Sequence, residues 1–209
     1  MKETERVSFY THLGGAVAAA VGAIILIFQA QDQFSYRLLA LIYGASVTFL
    51  FTASSLYHYH KQEEGEASFW RKLDHFAIFV MIAGTYTPVV WAYLSGGLRW
   101  GILIFQWTLV LTGFFFKFFY LKAPRLLYTV IYLLMGWSAI FTIKPLMDAM
   151  NIPSIVMLFA GGASFTIGAI FYILKKPVIS PGFGFHEIFH LFILAGGIFH
   201  YFLVFLAIR

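Results

Sequence analysis

Residues 184–207, GFHEIFHLFILAGGIFHYFLVFLA, hold a single carboxylate, Glu187, and no lysine or arginine. As a helix this stretch is about 36 Å long, enough to cross a hydrocarbon core of about 30 Å. Three histidines lie within it: His186, His190 and His200. A run this apolar belongs in lipid, where each histidine needs an explanation of its own.

The rest of the chain has the same character. Of its 209 residues 61% are hydrophobic and 11% charged, with a mean hydropathy of +0.83; a soluble domain carries about 25% charged residues. Charged or Pro/Gly-rich breaks divide the sequence into seven apolar runs. They predict helices at 9–29, 37–59, 73–94, 98–119, 125–144, 152–174 and 184–207. The runs are continuous, not alternating, which argues against a β-barrel. The fold class expected is an all-α integral membrane protein, a seven-transmembrane helix bundle forming a single domain over 1–209.

The N-terminus has one signal-peptide trait, since Lys2 and Arg6 precede an apolar stretch with Ala18, Ala19 and Ala20. That stretch continues to Phe28, beyond a signal core of about 7–15 residues, so it reads as a retained first helix.

Lysine and arginine orient the bundle. Lys2, Arg6, Lys61, Arg71, Lys72, Lys117, Lys122, Arg125, Lys175 and Lys176 fall on one side. Arg37, Arg99, Lys144 and Arg209 fall on the other. Positive loops stay in the cytoplasm, so the N-terminus is expected inside and the C-terminus outside. Lys117, in the last turn of its helix, is expected to snorkel to the basic face.

Several classes fall away. A net charge of +5 without a basic run or nucleic-acid motif reads as contact with anionic lipid, and no nucleic-acid partner is expected. The orientation is opposite to that of G-protein-coupled receptors, and no lysine between Val178 and Ile208 offers a retinal Schiff base. Without cysteine there are no disulfides, and any transition metal has to sit on His, Asp, Glu or water.

Topology brings three helix ends to one depth at the basic face. Ser54 and His58 close the second helix. Asp74 and His75 are placed in the first turn of the third, and His186, Glu187 and His190 in the first turns of the seventh. His186 and His190 share a helix face, about 6 Å apart along the axis. With His58 as a third ligand they describe an open, catalytic-type zinc site, although imidazole also suits iron, copper or nickel. Asp74 is the candidate general base, and Ser54 shares the His58 face. Plainer readings stand beside these: a packing pair for His186 and His190, N-terminal charge compensation for Asp74 and for Glu187, and backbone bonding for Ser54. His12 is expected to pair with an acid, His60 to lie in a loop, and His200 to bond between helices. The Phe114–Phe119 cluster reads as lipid contact. Gly96-Gly97, Gly161-Gly162 and Gly196-Gly197 fit turns or close helix contacts, and Pro88 and Pro145 are candidates for kinking or ending helices.

Ser54-Ser55-Leu56-Tyr57-His58 resembles the helix-2 motif of the hemolysin III family. Lys72-Leu73-Asp74-His75 with Ala83-Gly84-Thr85-Tyr86-Thr87-Pro88 resembles its helix-3 segment. His186-Glu187-Ile188-Phe189-His190, with Ala195-Gly196 and His200-Tyr201, resembles its helix-7 segment. These motifs are shared with the progestin and adipoQ receptor superfamily. The resemblance implies zinc on His58, His186 and His190, with Asp74 and Ser54 close to the zinc and its water. It also implies similarity to alkaline ceramidases, which hydrolyse lipid amides. The expectation is a multi-pass cell-membrane protein acting on membrane lipid as a zinc-dependent amide or ester hydrolase, or as a related regulator of membrane fluidity and energetics. A membrane-state sensor with structural zinc and a cytolytic pore are the alternatives. Aromatic and glycine-rich helix faces are compatible with a homo-oligomer, and lipid contact explains them equally well.

Overall fold

The computed structural model describes residues 1–63, 66–119 and 125–209, the side chain of Arg125 excepted. Lys122 and the Arg125 side chain, both counted on the basic face, lie outside the described residues. After a 3-10 turn at Glu3–Glu5 come α1 (Arg6–Gln29), α2 (Phe34–His60), α3 (Phe69–Tyr93), α4 (Gly96–Phe119) and α5 (Arg125–Trp137). A 3-10 segment, Ser138–Thr142, leads into α6 (Ile143–Ala149), followed by α7 (Ile152–Leu174). A short hairpin, β1 (Val178–Ser180) with β2 (Phe183–Gly184), precedes α8 (Phe185–Ile208). Seven helical stretches among the described residues are long and apolar enough to span a bilayer. The fifth consists of α5, the 3-10 segment and α6 in succession.

Local chemistry sets several of the ends. The Ser68 hydroxyl accepts from Arg71 N and starts α3, and Asn151 Oδ1 accepts from Ser154 N to start α7. α7 stops at Lys175, which adopts a left-handed conformation with φ of 54°. α3 therefore begins four residues before the expected start. Its first turn, Phe69-Trp70-Arg71-Lys72, is interfacial in composition, with an aromatic pair and two cations, and escapes a scan for apolar runs. Asp74 consequently lies in the second turn and not the first, past the free N–H groups that a terminal carboxylate would compensate.

α2 and α3 form the interior. In their apolar stretches 61% and 56% of residues are buried, against 28–33% in the other spans. α1 packs on α2, α4 on α3, α7 on α8, and α8 closes the bundle against both α1 and α3. The outer faces are apolar, with Phe28, Phe34 and Phe141 all more than 80% exposed. Phe114, Phe115, Phe116 and Phe119 are exposed, as expected of lipid contacts.

Small residues let the spans approach closely. A Cβ on Gly161 would meet the His200 ring, and one on Gly196 the Phe165 ring. His200 Nε2 lies 3.4 Å from Leu158 O, the expected interhelical bond. A Cβ on Gly44 would press on Ala23 Cβ and come within 3.0 Å of its Cα, which is backbone and cannot rotate away. Gly44→Ala is expected to cost about 1–3 kcal/mol by forcing α1 from α2. A lowered unfolding temperature in detergent checks this; an unchanged one contradicts the packing.

Two expectations are corrected here. The fifth span is not one continuous α-helix. Tyr86 Oη of α3 donates to Gly136 O at 2.5 Å and accepts from Ala139 N at 2.8 Å, so a side chain from another span takes up backbone groups freed at the 3-10 break. Pro145 then falls in the first turn of α6, where its missing N–H costs nothing. Lys117 does not snorkel: its side chain is fully buried. Its ammonium lies 3.0 Å from His75 Nδ1 and 2.8 Å from the centroid of the Tyr128 ring, which cover it from α3 and α5.

Candidate metal centre

At the basic end of the bundle the last two turns of α2 face the first two turns of α8. His58 is 1% exposed and His190 3%, and His186 is half-buried at the opening. Each of the three offers a ring nitrogen, and the three nitrogens lie within 4.8 Å of one another. His58 Nε2 and His186 Nε2 are 3.5 Å apart. Two imidazoles bound tetrahedrally at Zn–N distances of 2.0–2.1 Å place their nitrogens about 3.3 Å apart, so this pair is already close to ligand spacing. The i,i+4 pair reading and the topological placement of His58 both hold: the three histidines form one group.

A carboxylate orients His58. Glu5, from the 3-10 turn preceding α1, places Oε2 2.7 Å from His58 Nδ1 and Oε1 2.8 Å from the Lys61 ammonium. With Nδ1 facing the carboxylate as donor, Nε2 is left as a lone-pair nitrogen turned toward His186. His186 Nε2 can donate a proton to it or, in the other tautomer, join it in binding a cation placed between the two. On His190, Nδ1 is buried without a hydrogen-bond partner. A metal-binding role accounts for such an atom where packing alone does not. The donor set, three imidazoles with no thiolate, suits a borderline ion of the zinc type.

Ser54 and Asp74 stand beside this group. Their side chains are in polar contact with each other, and Asp74 is within electrostatic reach of His58, Lys117 and Arg71. Neither joins the three-nitrogen cluster. The cluster is therefore a three-ligand set with a carboxylate and a hydroxyl at its side.

Glu187 carries the plainer of its two readings. Its Oε2 accepts from Gly184 N at 2.8 Å, compensating the N-terminus of α8, and its Oε1 accepts from the Ser8 hydroxyl at 3.0 Å. That bond ties α1 to α8. His60 is not in a loop; it ends α2 and stacks on Trp70 with centroids 4.8 Å apart. His12 is not paired with an acid. It is buried, stacks on His190 at 3.8 Å, and has no hydrogen-bond partner at either ring nitrogen among the described residues.

A cavity of about 850 Å³ opens from the centre into the bundle. Its head carries His186, His190, Ser54 and Asp74, and its length is walled by side chains such as Leu50, Met81, Phe165, Ile193 and Leu203. From His186 to Leu203 the wall runs about 25 Å along α8.

The profile of a family described as Haemolysin-III related matches residues 1–201, which include every residue of this centre. The chain belongs to that family. Among its relatives, Hemolysin-3 of Bacillus cereus is 36% identical over 196 residues, covering 93% of this chain and 87% of the relative. Hemolysin-3 homolog of Bacillus subtilis (strain 168) is 37% identical over 191 residues, covering 89% and 85%. Monocyte to macrophage differentiation factor of Homo sapiens is 26% identical over 205 residues, covering 93% and 80%, and extends the likeness to the progestin and adipoQ receptor superfamily.

In this haemolysin-III-related membrane protein, sequence reasoning brought His58, His186, His190, Asp74 and Ser54 to one place, and missed Glu5. The available signal was depth. Glu5 lies on the same basic face as the three histidines, at the foot of α1, but nothing local distinguishes it from the neighbouring Glu3, which is exposed.

Proposed function

We propose that the protein binds zinc on His58, His186 and His190 and hydrolyses an amide or ester bond of a membrane lipid. The observation that carries this reading is the joining of two features: a three-imidazole set flanked by a carboxylate and a hydroxyl, and a long apolar cavity lined at its head by His186, His190, Asp74 and Ser54. Zinc held there would supply Lewis acidity and lower the pKa of water toward about 7. The protein's own groups do the rest. Asp74 accepts the proton of the attacking water and returns it to the departing amine or alcohol. Ser54 orients the water or the lipid carbonyl, while the apolar walls hold the acyl chain and exclude bulk water. The products are a carboxylate and the freed amine or alcohol, so no further reactant is needed.

A structural zinc serving a sensor would favour a closed four-ligand shell. Among the described residues the candidate set holds three, and neither Asp74 nor Glu187 completes it, which supports the hydrolytic reading.

Metal-loaded protein in lipid nanodiscs, screened against long-chain N-acyl amides and esters, tests the proposal. Asp74→Asn is expected to keep its metal and lose about 100- to 10,000-fold in rate. Full activity in Asp74→Asn, or no turnover of any such lipid by the wild type, would contradict it.

A further inference from the structure

Four buried side-chain polar atoms lack a hydrogen-bond partner among the described residues: His190 Nδ1, Gln106 Oε1, and both ring nitrogens of His12. Three of the four thus belong to two histidine rings stacked on each other at 3.8 Å with planes 17° apart. A metal on the three-histidine set would engage a ring nitrogen of His190. It does not account for His12, which stands outside that set. His12 is 3% exposed, sits edge-on to Phe51 at 5.2 Å, and lines the cavity at its head.

Packing does not explain an imidazole here. A phenyl ring would stack on His190 and meet Phe51 as well, and it would leave no polar atom unsatisfied. Burying two unpaired nitrogens is unfavourable unless a bound group engages them. What does arrive at this place, on the reading given above, is the polar end of a lipid whose chain lies along the cavity.

We propose that His12 is a binding residue for the acyl oxygen of the ligand: its ring N–H donates to the carbonyl of the lipid or to the carboxylate left after hydrolysis. A neutral imidazole carries one donor and one acceptor, so a single tautomer suffices. α1 then contributes to the ligand site directly, next to the 3-10 turn that supplies Glu5 behind His58. The proposal rests on the metal and lipid readings, and the test separates them.

The full chain is purified in detergent and loaded with cobalt(II), whose visible bands report on its ligand environment. Octanoate, a short fatty carboxylate, is titrated into wild type, His12→Phe and His12→Gln. His12→Phe keeps the stack and removes the donor, whereas His12→Gln restores an N–H. The expected result is one cobalt per chain in all three. Octanoate shifts the bands of wild type, its half-saturating concentration rises at least tenfold in His12→Phe, and His12→Gln recovers part of the loss. Octanoate affinity in His12→Phe within twofold of wild type would overturn the proposal, as would wild-type bands that octanoate does not move. Failure of wild type to take up stoichiometric cobalt would instead remove the metal reading, and this proposal with it.

Discussion

Glu5→Ala is expected to weaken metal binding about 10- to 100-fold while the three histidines remain in place. The carboxylate is the partner of His58 Nδ1 at 2.7 Å, and without it the ring loses the hydrogen bond that fixes Nδ1 as the donor. The same substitution also breaks a second contact. Lys61 pairs with Glu5 at 2.8 Å, and its side chain is only 8% exposed. Breaking a buried ion pair by removing one member usually costs about 3–5 kcal/mol of stability. The two consequences separate. Glu5→Ala/Lys61→Met replaces both members of the pair and should recover most of the unfolding temperature without recovering metal affinity. Recovery of both would show that Glu5 acts through stability alone.

Stripping the metal is expected to have the second large effect. A ligand that binds only the folded state at a thousandfold its Kd contributes about 4 kcal/mol. In a chain of this length that corresponds to a fall of about 10 °C in unfolding temperature on chelation. The centre joins α2 to α8, the two ends of the sequence, so this stability belongs to the whole bundle. His186→Ala/His190→Ala should unfold at the same temperature with and without chelator. An equal chelator effect in that variant would place the metal elsewhere.

Much of the fold was legible because lipid imposes a simple rule. A span needs about 20 apolar residues whose backbone is satisfied internally, and each of the seven runs announces itself. The lysine and arginine pattern then brought His58, Asp74 and the His186–His190 pair to one end before any contact was known. What escaped depends on partners distant in sequence. The break in the fifth span is stabilised by Tyr86, some 50 residues earlier. Lys117 occupies a last helical turn from which snorkelling is the local expectation, and only His75 and Tyr128 from neighbouring helices enclose it. Glu5 meets His58 across 53 positions of sequence. His12 was visible as a histidine near the basic end of the first helix, but its stacking on His190 is a property of how α1 meets α8. Periodicity and composition report burial and depth along one helix, and they carry no information about which side chain from another helix arrives at the same point.

The central claim is that His58, His186 and His190 hold one metal ion. Elemental analysis by mass spectrometry, on protein purified in detergent without chelator, tests it most directly when wild type is compared with His186→Ala/His190→Ala. The account predicts about one zinc per wild-type chain and none above background in the variant. A well-folded wild type without metal, or a variant that keeps its zinc, would contradict it.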